Sequence, residues 1–201
     1  MTVDLRTSTG RARLARTVAA VAALALGAAC GPTVIAPSAA STAAPTVLRA
    51  PELAPDAPPS APQGKPLLTV TGRITATNAD KALRLDEATL DRMGLLAMTV
   101  NDPWAKQRLP FQGIRLRDLV DLARPDAGAT SLHIRALDDY QVDLQLADVR
   151  TQEIFLATRD GSGTDLPIED GGPTRVVFSD DLAQRFSPDL WIWNIDTIDV
   201  R

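Results

Sequence analysis

Phe111-Gln112-Gly113-Ile114-Arg115-Leu116-Arg117-Asp118-Leu119-Val120 is the stretch on which the fold turns, because two periodicities meet in it. Gln107 to Phe111 reads as a short strand that Gly113 ends. Ile114 to Arg124 then reads as a helix. Leu116, Leu119, Val120 and Ala123 fall on one face at 3.6-residue spacing, with Arg115, Arg117, Asp118 and Asp121 on the other. A strand followed by an amphipathic helix puts both kinds of element in this one stretch.

Outward from that stretch, the same reasoning places further elements. Upstream, Leu67 to Ile74 alternates as a strand. Leu85 to Met93 is a short helix with Asp86 as its N-cap and Gly94 as its stop. Leu95 to Val100 is a buried strand, broken by Asn101-Asp102-Pro103. Downstream, Leu132, Ile134 and Ala136 alternate with polar residues, as do Tyr140, Val142, Leu144 and Leu146, so this is an antiparallel hairpin turning at Asp138-Asp139. Glu153 to Thr158 and Thr174 to Phe178 are strands, and Trp191 to Val200 closes the chain with Trp191, Trp193 and Ile195 facing the core. The expected architecture is an α+β domain, mostly mixed or antiparallel sheet with two or three short helices.

The first 66 residues are of another kind. Arg6, Arg11, Arg13 and Arg16 precede an apolar run, Val18 to Ala29, of about 12 residues. A spanning helix needs roughly 20, so residues 1–30 read as an export signal. The run ends in Leu26-Gly27-Ala28-Ala29-Cys30, which resembles the lipobox of bacterial lipoproteins, with Cys30 as the acylated residue. The alternative is an ordinary secretory signal cleaved near Ala29. Residues 31–66 hold nine of the 15 prolines among Ala, Ser and Thr and read as an extended linker. Residues 67–201 carry 15 Lys+Arg against 22 Asp+Glu, a charge of −7, which excludes a general nucleic-acid binder. One cysteine and one histidine, His133, exclude disulfide frameworks, cysteine-rich metal sites and any site needing two imidazoles.

Four motifs in order carry a resemblance. Phe111-Gln-Gly-Ile-Arg-Leu-Arg-Asp-Leu resembles the aromatic-x-Gly-x-x-Leu-x-Asp-Leu helix entry of the sulfite-oxidase-like molybdopterin-binding domain. Ala136-Leu-Asp-Asp-Tyr-Gln-Val is similar to that family's Leu-Asn-Asp-Tyr hairpin. Gly172-Pro-Thr-Arg-Val-Val-Phe resembles its Gly-x-Pro-x-Arg-x-Val strand, and Trp193-Asn-Ile-Asp-Thr-Ile-Asp-Val its terminal strand. The resemblance covers 67–201 and implies that fold and molybdopterin as cofactor. By the same resemblance Asn101, Asp102, Trp104, Asp139, Tyr140 and Arg175 are the cofactor-binding positions, with no catalytic residue and no metal ligand assigned. The family's molybdenum-ligating cysteine falls at or near Asn101 here, so cysteine–molybdenum ligation is excluded. Ser179-Asp180-Asp181 puts carboxylates where the family has aromatic and basic residues.

Each position also has a plainer reading. Asn101-Asp102-Pro103 is turn chemistry with Trp104 capping the core, and Asp138-Asp139-Tyr140 is a hairpin tip. His133 is a surface residue, Asp160 to Asp165 a turn, and Asp180-Asp181 the cap of a short helix. The expectation is an exported, lipid-anchored, non-catalytic binding module, periplasmic or at the cell surface. Its former cofactor cleft would take a protein partner or a small anionic or pterin ligand. The alternatives are a molybdenum-cofactor oxidoreductase with a solvent or substrate oxygen in place of the thiolate, and a purely structural surface lipoprotein.

Overall fold

A computed structural model describes residues 44–53 and 59–201. The segment read as an export signal, Cys30 and half of the proline-rich segment lie outside the described residues. Among the described residues no helix is long and apolar enough to cross a membrane.

In chain order the strands are β1 (Thr46–Arg49), β2 (Leu68–Gly72), β3 (Leu83–Leu85), β4 (Leu95–Asp102), β5 (Gln107–Arg115), β6 (Ser131–Ala136), β7 (Gln141–Gln145), β8 (Ile154–Asp160), β9 (Arg175–Phe178) and β10 (Ile195–Val200). The helices are α1 (Glu87–Arg92), α2 (Leu116–Ala123) and α3 (Leu146–Thr151). The strands form two five-stranded sheets, ordered β1-β4-β5-β8-β9 and β3-β2-β10-β6-β7. All pairings are antiparallel except β2 with β10. The apolar faces of both sheets and of the helices merge into one core, with Phe155, Phe178, Leu116 and Ile134 among its fully buried side chains. The α+β class is as expected.

α1 starts where its cap requires: Asp86 Oδ1 accepts from the Thr89 backbone N–H at 3.0 Å and from its hydroxyl at 2.6 Å. α2 buries Leu116, Leu119, Val120 and Ala123, as the 3.6-residue spacing required. β5, however, does not end at Gly113 but runs through it to Arg115. A Cβ at Gly113 would collide with the Leu156 carbonyl oxygen. The glycine therefore marks close approach to β8, where the register slips between Gln112 and Gly113. β4 likewise continues through Asn101 to Asp102, because Asn101 pairs with Arg108 and Asp102 with Gln107. The closing strand starts only at Ile195, since Asn194 adopts a left-handed φ of 53°.

The reading of 31–66 as linker needs correction at 46–53. β1 hydrogen-bonds to β4 with Thr46 opposite Ala97 and Val47 opposite Leu96. Glu52 and Leu53 then donate their N–H groups to the Arg92 carbonyl at 2.8 and 3.1 Å. Four residues with exposed side chains carry no periodic signal; the open edge of β4 supplies the reason for a strand there.

Asp91 binds this segment to the body. It accepts from Arg159 and lies 3.0 Å from Arg49. Burial pushes the Asp91 carboxyl up, but hydrogen bonds and charge from Arg159 and Arg49 outweigh it and hold the group below its ordinary value of 3.8. Asp86 is lowered too, first by the Thr89 hydroxyl. Carboxylates lowered by folding add stability above their unfolded value and lose it as pH falls through the folded one. Asp118, raised by burial, acts in the opposite sense. The contribution of the Arg49–Asp91 pair is therefore read by comparison. Arg49→Ala should lose less than about 1 kcal/mol at pH 7, and its urea midpoint should fall less steeply than the parent's between pH 5 and pH 3.

Candidate functional site

Two clefts lie side by side and share one wall, the indole of Trp193. The first, about 470 Å³, is built at the ends of β4, β5, β8 and β9. Asp102 and Arg175 meet in it across 73 residues of sequence, with Arg175 Nη2 donating to Asp102 Oδ2 at 2.6 Å. Both side chains are sealed, at 0% and 3% exposure, so this is a buried ion pair. Asp102 Oδ1 accepts the backbone N–H groups of Trp104 and Ala105, each at 2.9 Å, and so shapes the β4–β5 turn.

The Arg175 guanidinium lies over the Phe111 ring at 4.9 Å and the Trp193 ring at 4.3 Å. Its Nη1 reaches the Asp170 carbonyl at 3.4 Å, and its Nε is buried without a hydrogen-bond acceptor. Burial pushes the guanidinium down from its ordinary pKa, opposed first by the charge of Asp102. Arginine stays protonated regardless. The rest of this cleft carries Asp160, Glu169 and Asp170. Asp160 Oδ1 is used within its own turn, accepting from Ser162 and Thr164. Among the described residues no three His, Cys, Asp or Glu side chains converge to hold a metal.

The second cleft, about 460 Å³, lies between the β4–β5 turn, the β6–β7 turn and residues 189–194. Trp104, Tyr140, Trp191 and Trp193 line it, with Asp138 and Asp189 among them. Trp104 is 53% exposed and does not cap the core. Trp191 is buried, tilted against Phe178 at 5.7 Å. Tyr140 donates its hydroxyl to the Asp189 carbonyl at 3.1 Å.

The structure thus brings Asp102 and Arg175 into the first cleft and Trp104 and Tyr140 into the second. Asn101 and Asp139 line neither. Asn101 is exposed, and its N–H donates to Asp180 Oδ1 at 2.7 Å. Asp180 also holds Arg108 at 2.7 Å, so it clamps the β4–β5 hairpin instead of capping a helix. The following 3-10 turn, Leu182–Gln184, has no side-chain cap. Asp139 sits at the hairpin tip with φ 67°, 3.5 Å from Arg135. His133 is bound by Asp143 at 2.9 Å and Gln141 at 3.1 Å on the sheet face. Sequence reasoning missed Phe111, Trp193 and Asp189 as lining residues, and read Asp138, which lines the second cleft, as a hairpin tip. The alternation that read both tryptophans as core was their only signal, and it could not show that Trp193 is left half-open between two clefts.

Three comparisons bear on this architecture. The family model of the oxidoreductase molybdopterin binding domain matches residues 87–195. The crystal structure of the sulfane dehydrogenase SoxCD from Paracoccus pantotrophus superposes with a TM-score of 0.53 at 16% identity. That superposition covers 71% of this chain but only 39% of that one, and at this identity it speaks to the fold alone. No curated protein matches the chain. With the family model spanning more than half of the 201 residues, and the mixed-sheet fold shared with a solved structure, the chain belongs to the oxidoreductase molybdopterin-binding domain family.

Proposed function

We propose that this protein is an exported, lipid-anchored member of the family that has given up redox chemistry and acts as a binding module for a protein partner. The observation that carries the proposal is the buried Asp102–Arg175 pair. Molybdopterin brings a phosphate, two thiolates and a metal, so a site for it needs uncommitted cationic donors and, in this family, a cysteine thiolate. The one guanidinium in the first cleft is already neutralised by Asp102 and packed against two aromatic rings. Asp160, Glu169 and Asp170 add negative charge around it. Bringing a phosphate dianion into that cleft would mean desolvating it beside carboxylates, which costs more than the spent arginine can return. Asn101, at the expected thiolate position, lines neither cleft, and Asp180 is bonded to its backbone. The residues present do not fit the cofactor, and the same carboxylates work against any small anionic occupant.

The anchor completes the proposal. Residues 1–30 direct export, Cys30 carries the lipid, and the proline-rich stretch up to β1 holds the domain off the membrane. One experiment covers both halves. The full chain is expressed in a host that makes the cofactor, its membrane fraction is extracted with detergent, and molybdenum and released pterin are measured on the purified protein. The expected result is a protein that needs detergent for release and carries neither metal nor pterin. Stoichiometric molybdenum and pterin would overturn the binding-module reading, and full recovery without detergent would overturn the anchor.

A further inference from the structure

All three tryptophans and the single tyrosine of this chain line the second cleft, in a sequence that is only 4% aromatic. They arrive there from three separate places: the β4–β5 turn, the β6–β7 turn and the segment leading into β10. A folding chain normally spends such residues on its core. Here Trp104 is 53% and Tyr140 47% exposed, so two large apolar surfaces face water at the cleft mouth. Both are held in place. The Trp104 backbone is fixed by Asp102, and the Tyr140 hydroxyl by the Asp189 carbonyl.

The charges that line this cleft are of one sign, and the one cation against its rings, the Arg175 guanidinium over Trp193, belongs to the first cleft. Asp138 and Asp189 line the cleft, and no lysine, arginine or histidine does. Aromatic faces carry negative potential, and with two carboxylates beside them they favour a cation. A small hard cation would have to shed a tight water shell against apolar walls. A quaternary ammonium group holds its water weakly, presents methyl groups to the rings, and keeps its charge for the carboxylates. A neutral ligand of the same shape would gain only the apolar contact, and an anion would be repelled. A volume of about 460 Å³ is ample for a trimethylammonium head with a short substituent.

We infer that the second cleft is an aromatic-walled site for small quaternary ammonium compounds, formed by Trp104, Tyr140, Trp191 and Trp193 with Asp138 and Asp189. The site does not depend on the first cleft being free of cofactor, because the two share only the Trp193 wall.

The chain carries its own reporter, since every tryptophan lies in the cleft. The full-length protein is titrated with choline and, separately, with dimethylbutanol, in which carbon replaces the charged nitrogen. Tryptophan emission should change saturably with choline, with at least about tenfold tighter binding than for the neutral analogue. Tyr140→Ala, which removes an exposed ring and leaves the core intact, should weaken choline about tenfold, and Asp189→Asn severalfold. Raised salt should weaken it further. No saturable response up to tens of millimolar, equal affinity for dimethylbutanol, or unchanged binding by Tyr140→Ala in a protein with parental circular dichroism would each overturn the inference.

Discussion

Asp102→Ala is expected to lower the free energy of unfolding by about 3–5 kcal/mol at neutral pH, measured by urea denaturation. The substitution strands the Arg175 guanidinium, 3% exposed, without the carboxylate that contacts it, leaving only the longer-range charge of Asp170. It also frees the Trp104 and Ala105 N–H groups that Asp102 Oδ1 holds. A charge without its partner in the protein interior costs several kcal/mol, far more than the pair itself contributes. Asp102→Asn keeps an oxygen for the turn but not the charge, so it should recover only part of the loss. The double variant Asp102→Leu with Arg175→Met should recover most of it, because it removes both charges and fills the space with apolar groups. If Asp102→Ala changes stability by less than about 1 kcal/mol, water reaches Arg175 freely. The first cleft would then be open to an anion, and the case against the cofactor would lose its main support.

Phe178→Ala should cost about 3–5 kcal/mol, the usual range for deleting a fully buried aromatic ring. Phe178 has no exposed surface, stacks on Phe186 at 5.1 Å and supports Trp191 at 5.7 Å. The cavity opens directly behind a wall of the aromatic cleft, so the effect should not stop at stability. Tryptophan emission should shift even where the variant remains folded, because Trp191 loses its packing partner. Phe186→Ala, at the partly exposed end of the same stack, should cost less. Equal losses at the two positions, or an unshifted emission, would mean that Trp191 is positioned by something other than this stack.

Much of the fold is legible in short windows. The spacing of Leu116, Leu119, Val120 and Ala123 defines α2, Asp86 opens α1, and the alternation around Asp138-Asp139 defines the β6–β7 hairpin. In each case the information is local: a turn of helix or a pair of neighbouring strands reports its buried face through its own periodicity. β1, β3 and α3 are not legible in this way. β1 is four residues of exposed side chains, β3 is three residues long, and α3 begins at Leu146, which continues the β7 alternation. Elements that short have no period to read, and their backbone partners lie elsewhere in the chain.

The candidate site divides along the same line. The sequence by itself determined that the domain has a single histidine and no cysteine after Cys30, that its folded part is acidic, and that its motifs follow the family order. Those are matters of composition and local order, and no folding can alter them. Only the tertiary structure decided that Asp102 neutralises Arg175, that Asn101 points to neither cleft's lining, and that four aromatic side chains from three segments converge beside two carboxylates. Pairings across tens of residues depend on strand register and on which faces the sheets bury. Those are settled by the packing of the whole core and leave no trace in any one stretch of chain.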